Sequence, residues 1–147
     1  DSRRQGGAGE AEEHIQTLTQ KEQWIRYKDR VKLEDTAPER AFDQLAKGLN
    51  PVKPQRQSII DEDGLRWDFR PDREVRGCWV EILGPYHWTS REEAKTRWRS
   101  NLIVRKTGRR LLLIDAPLLE DKSHWPYVLR ELERFLLGSE PWKRLFA

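Results

Sequence analysis

The chain has 147 residues, 36% of them hydrophobic and 36% charged, and a net charge of only +3. That length fits one domain with an extension, and the wet composition leaves a small core, with part of the chain expected to lie on a partner. A single cysteine, Cys78, excludes an internal disulfide framework, no Cys/His set has zinc spacing, and no apolar run is long enough to span a bilayer.

Residues 1–10 are Gly-rich and polar, which sets an expectation of poor order without a partner. From Ala11 a helical pattern places Ile15, Leu18, Glu22 and Ile25 on one thin stripe, with Trp24 and Val31 flanking it. Thr36 and Pro38 open a second helix whose apolar face holds Phe42, Leu45, Ala46 and Leu49, and Gly48 with Asn50-Pro51 closes it. Residues 50–58 carry two prolines and no period, and read as a linker or extended arm. Leu65–Phe69 alternates as a strand, Pro71-Asp72 turns the chain, and Gly77–Leu83 is a second strand, so these two are expected to pair as a hairpin. Thr89 or Ser90 caps a helix from Arg91 to Thr107, with Glu92 and Glu93 in its positive first turn and Gly108 at its end. Leu111–Ile114 reads as a central buried strand, and Ser123 opens a last helix through Leu137 whose apolar face includes Tyr127, Val128, Leu132, Phe135 and Leu136. The expected fold is α/β (or α+β), a small mixed sheet flanked by helices, with the strand before the basic helix parallel to Leu111–Ile114. The expected domains are a helical extension with a Pro-rich arm over 1–57 and a compact unit over 58–147.

Charge is concentrated rather than abundant. Residues 91–110 hold Arg91, Lys95, Arg97, Arg99, Arg105, Lys106, Arg109 and Arg110 against only Glu92 and Glu93, a local charge of +6. Just upstream, Gly84-Pro85 breaks a strand and presents Tyr86, His87 and Trp88 together. Aromatic faces beside cations hold unstacked bases and phosphates, and the cationic run attracts polyanions. The plainer reading is a turn and a solvated helix. Trp98 fits either packing under the helix or an exposed stacking platform.

Catalytic readings are thinner. Asp68 and Glu81, on strands expected to be adjacent, form the carboxylate pair that Mg²⁺-dependent phosphodiester cleavage uses. The lysine that nucleases of the restriction type place two residues beyond the glutamate is Leu83 here. Glu81 is then read as a relic or a structural hydrogen-bond acceptor. His87 has no nucleophile beside it in sequence, His124 reads as structural, and His14 carries no signal. No phosphate-loop or dinucleotide motif is present, and no cofactor or metal site is expected.

Asp68, then Val80-Glu81, Gly84-Pro85, His87-Trp88, the basic helix with Arg97, Arg99 and Leu102, Gly108 and the apolar strand Leu111–Ile114 together resemble the RAP domain, a module of organellar RNA-associated proteins. The likeness runs over about residues 64–137, and departs from the family pattern where Leu83 replaces an aspartate before Gly-Pro. It implies a reduced restriction-endonuclease-like core and non-catalytic RNA binding in an organelle. The expectation that follows is a structural subunit of a divergent mitochondrial ribosome, in the matrix, contacting ribosomal RNA through Tyr86, His87, Trp88 and the eight cations of 91–110. Neighbouring proteins would be held through 1–57, and a plastid is the alternative compartment. The competing readings are a protein–protein accessory subunit of a large mitochondrial membrane or other assembly, and a metal-dependent nuclease. Methionine is absent even at residue 1, so the chain is expected to be a processed or truncated product, and removal of an organellar presequence is one hypothesis.

Overall fold

A computed structural model describes residues 35–85 and 89–147. The first expected helix, His14 and the aromatic turn Tyr86-His87-Trp88 lie outside the described residues. Residues Ala37–Ala147 form one compact α+β unit. In chain order it contains α1 (Ala37–Leu45), β1 (Gln57–Ile60), β2 (Arg66–Phe69), β3 (Arg73–Val75), β4 (Cys78–Leu83), α2 (Ser90–Thr107), β5 (Leu111–Asp115), the short α3 (Pro117–Glu120), α4 (Trp125–Leu137) and β6 (Trp142–Leu145).

The main sheet runs β3-β4-β5-β6, with β3 antiparallel to β4 and both β4–β5 and β5–β6 parallel. The parallel pairing of β4 with Leu111–Ile114 is as the sequence implied. β5 is buried along its whole length, so both of its faces must be covered. Leu112 and Ile114 face one core with Val80, Phe42, Leu118, Val128, Leu132, Phe135 and Leu145. Leu111 and Leu113 face the other with Trp79, Leu83, Leu102, Ile103, Ile59 and Phe69. The alternating pleat thus divides the molecule into three layers: α1, α3 and α4, then the sheet, then α2 with the β1–β2 hairpin.

Two sequence expectations change. The strands expected at 65–69 and 77–83 do not pair with each other. β2 pairs instead with β1, and β4 pairs with β3. The β3–β4 turn is Arg76-Gly77, both at positive φ (49° and 83°), as a two-residue turn between right-twisted strands requires. Arg76 is a poor sequence signal for such a turn, which is why the hairpin was placed elsewhere. The second change concerns the start of the compact unit, expected at Ser58. Phe42 and Ala46 of the α1 segment are fully buried in the main core, and Val52 of the supposed arm bridges to Glu74 through two backbone hydrogen bonds of 2.9 and 2.7 Å.

β6 closes the sheet's far edge and is tied to α4 by Lys143, whose Nζ donates to Glu131 Oε1 at 3.1 Å. That bond, with Arg134 and Arg130 nearby, holds the Glu131 carboxyl below its ordinary value of 4.5. A carboxyl whose pKa is lowered by folding stabilises the native state above its unfolded pKa and stops doing so as pH falls through its folded pKa. Glu131→Gln is therefore expected to flatten the acid limb of the stability–pH curve, read by urea denaturation at pH 7 and pH 3. An unchanged limb would remove this clamp from the account. Truncating Phe42→Ala should cost about 3–5 kcal/mol in the same assay, the range for an aromatic core cavity. A loss near zero would place α1 outside the cooperative unit.

Candidate nucleic-acid interface

α2 forms because its ends are well specified. The Thr89 hydroxyl accepts the Glu92 N–H at 3.2 Å, Glu92 and Glu93 sit in the first turn, and Arg105 and Lys106 in the last. Gly108, at φ 71°, takes the left-handed stop. Thr96, Ser100, Leu102 and Ile103 point into the protein, with Ser100 Oγ donating to the Thr96 carbonyl at 2.8 Å.

The eight cations of 91–110 divide into two groups. Three have structural partners. Arg99 lies 3.7 Å from Glu81 and over the Phe69 ring. Arg109 donates to the Gly77 carbonyl at 2.9 Å, pairs with Glu74 at 3.4 Å and covers the Trp79 ring. Arg110 donates to the Glu140 carbonyl at 2.8 Å and stacks on Phe135, 4.1 Å from its centroid. These three fasten α2 and the loop after it to the sheet. The other five stand on the outer side of α2. Arg91, Arg97, Arg105 and Lys106 are exposed and Lys95 is half-buried. Four of them pair with acids: Lys95 with Glu92 at 3.5 Å, Arg97 with Glu93 at 3.6 Å, and both Arg105 and Lys106 with Glu62, the latter at 3.4 Å. Glu62 comes from the β1–β2 turn, which no local reading of 91–110 reveals. The more exposed of these pairs, Arg97–Glu93 and the two with Glu62, contribute about 0–1 kcal/mol each, so a phosphate can exchange into them at small cost.

The carboxylate pair differs from the expected one. Asp68 sits on β2, in the separate two-stranded sheet, opposite Ser58. Its Oδ1 accepts from Arg66 Nε at 2.9 Å, and that bond holds its carboxyl below the usual range. The neighbour of Glu81 is Asp72. Glu81 Oε1 accepts the Asp72 backbone N–H at 3.1 Å, and Asp72 Oδ2 accepts the Ile82 N–H at 2.8 Å. Both carboxylates are buried, and Arg99 adds its charge on the α2 side. Beside them Arg73, also buried, grips Asp43 through two bonds of 2.7 and 2.9 Å, lies 3.9 Å from Glu39, and donates to the Asp72 carbonyl at 2.6 Å. Asp72 comes alongside Glu81 because the tight turn at Arg76-Gly77 pairs Arg73 with Val80, and only Gly77 marks that turn in the sequence. Leu83, where a nuclease lysine would stand, is buried in the core under α2. Among the described residues no three His, Cys, Asp or Glu side chains are grouped to hold a metal ion.

β6, not anticipated from sequence, adds a third feature. Glu93, Thr96 and Arg97 of α2 face Trp142, Arg144 and Phe146 across a cleft of about 200 Å³. Arg144 is fixed there by Asp115, whose Oδ1 accepts from its Nε at 2.9 Å, and its guanidinium lies 4.4 Å from the Phe146 centroid. Trp142 Nε1 donates to Asn101 Oδ1 at 2.7 Å. Cys78 is buried and packs as expected, and no helix among the described residues is long and apolar enough to cross a membrane. No family model, curated protein or solved structure matches the chain.

Glu81→Ala removes the acceptor of the Asp72 N–H and the carboxylate facing Arg99 together. The expected loss is about 3 kcal/mol in urea denaturation, because a buried donor and a half-buried charge both lose their partner. Wild-type stability in that variant would show that Glu81 has no structural role.

Proposed function

We propose that this protein is a non-catalytic RNA-binding protein of an organelle, a structural subunit of a divergent mitochondrial ribosome that contacts ribosomal RNA. The observation that carries the RNA reading is α2 itself, where Arg91, Arg97, Arg105 and Lys106 are exposed and Lys95 is half-buried. In chain order this surface begins directly after Tyr86, His87 and Trp88, whose rings supply stacking faces. Arg99, Arg109 and Arg110 act in this reading as braces rather than contacts.

The resemblance to RAP domains supplies the organelle and the RNA class. Two features favour the restriction-endonuclease-like core that it implies. One is the order β3-β4-α2-β5 in a mixed sheet, and the other is a pair of neighbouring carboxylates, Asp72 just before β3 and Glu81 on β4. In this reading the ancestral metal site has become structural. Backbone N–H groups take Glu81 Oε1 and Asp72 Oδ2, Arg99 lies against Glu81 Oε2, and Leu83 takes the place of the lysine.

Filter binding of ribosomal RNA across a salt series tests the reading. Affinity should fall linearly in log–log form, and each of Arg91→Gln and Arg97→Gln should reduce the slope by about 0.7, one phosphate contact on a single strand. Binding that ignores salt, or slopes unchanged in both variants, would refute it.

A further inference from the structure

Arg91, Ala94, Trp98, Asn101 and Arg105 recur at steps of three and four along α2, so they share one face of the helix, and all five are exposed. Trp98 stands in the middle with 45% of its surface open to solvent. An indole so placed keeps much of its apolar surface open to a ligand. Trp98 is braced from one side. Trp67 of β2 meets it edge-to-face, with ring centroids 5.5 Å apart and planes at 62°. Trp67 is itself held by a hydrogen bond from Nε1 to Asp61 Oδ2 at 2.9 Å, and the other oxygen of Asp61 caps the β1–β2 turn through the Asp63 and Leu65 N–H groups. The indole is thus held by a neighbouring sheet while part of it faces solvent.

At 1.5 Å per residue, Arg91 and Arg105 lie about 10 Å to either side of Trp98 along the helix. Glu62, the partner of Arg105, is exposed, so that cation can exchange its carboxylate for a phosphate. Asn101 is oriented by its bond to Trp142. A supported, part-exposed indole between two cations fits an unpaired base flanked by its own phosphates. A duplex does not fit, because its bases are already stacked on one another. An apolar protein partner does not fit either, because it would have to desolvate Arg91 and Arg105.

We propose that Trp98, braced by Trp67, is a base-stacking platform, and that single-stranded RNA runs along α2 with one base on the indole and flanking phosphates at Arg91 and Arg105. This rests on the RNA-binding reading above and adds to it the strandedness of the ligand and a recognition residue in the middle of the helix. No base-specific hydrogen bond is required, so the platform is tolerant of sequence.

Fluorescence anisotropy of the full chain tests it with three probes: a labelled 12-nucleotide single-stranded RNA, the same RNA annealed to its complement, and long-chain polyphosphate as a base-free polyanion. Trp98→Ala should weaken single-strand binding by about 5- to 150-fold, the measured range for losing one stacked base. Duplex and polyphosphate binding should stay within about twofold of wild type. Trp98→Phe should recover most of the loss, while Trp98→Leu, which keeps an apolar contact with Trp67 but has no ring face, should not. The Phe and Leu variants decide the matter even if the alanine variant is unstable. Wild-type single-strand affinity in Trp98→Leu, with weakened binding in Arg91→Gln, would overturn the platform and leave the RNA reading standing. Equal losses on RNA and polyphosphate would overturn it too, by making Trp98 a support of the helix. A wild-type chain that binds none of the three probes would refute both.

Discussion

The burial of β5 is the constraint on which the rest of the structure depends. Five consecutive residues, Leu111–Asp115, are buried and hydrogen-bonded in parallel to a strand on each side. A parallel neighbour on the β4 side requires a crossover, and α2 is that crossover. A strand buried on both faces also needs a layer on each, so α2 must press one side inward and turn the other to solvent. The exposed cations and Trp98 are therefore on the surface as a consequence of how β5 is covered, and their spacing is inherited from the helix.

Charge serves two purposes here. On the α2 side of the sheet, two buried carboxylates near the strand ends are each met by an arginine: Glu81 by Arg99 and Asp115 by Arg144. Further inside, Arg73 ties β3 to α1 through Asp43 and Glu39. Breaking such pairs is costly because the remaining charge stays buried. These arginines therefore hold elements in register. On the outer side of α2, Arg105 and Lys106 pair with the exposed Glu62, and those contacts are cheap to exchange. Within the basic run, Arg99, Arg109 and Arg110 also lie over the core rings of Phe69, Trp79 and Phe135, and that stacking marks them as framework residues.

Much of this was legible in the sequence. α2 was readable with its cap, its glycine stop and its acidic first turn, because all three signals are local. The apolar run of β5 and its parallel partner followed from length and connectivity. The last helix was readable from its period, though its first turn is a separate 3-10 segment capped by Asp121. What the sequence hid was non-local or weakly marked. β3 has three residues, and its turn uses an arginine at positive φ. β6 reads Trp-Lys-Arg-Leu, with a single fully buried side chain, so neither apolar alternation nor a turn signal marks it. The candidate site was half legible for the same reason. The cations and the local acids Glu92 and Glu93 can be counted, but Arg99, Arg105, Lys106 and Arg109 pair with Glu62, Glu74 and Glu81, ten or more residues away along the chain. The sequence points to Asp68 opposite Glu81 because its turn signals favour Pro71-Asp72 over Arg76-Gly77.

The central claim is that RNA is held along the outer side of α2. Ultraviolet cross-linking of the chain to single-stranded RNA, followed by mapping of the modified peptides, tests it most directly. The account predicts cross-links concentrated between residues 86 and 106, with Trp98 among the modified positions. Cross-links confined to α4, or a yield no higher than with a base-free polyanion, would contradict it.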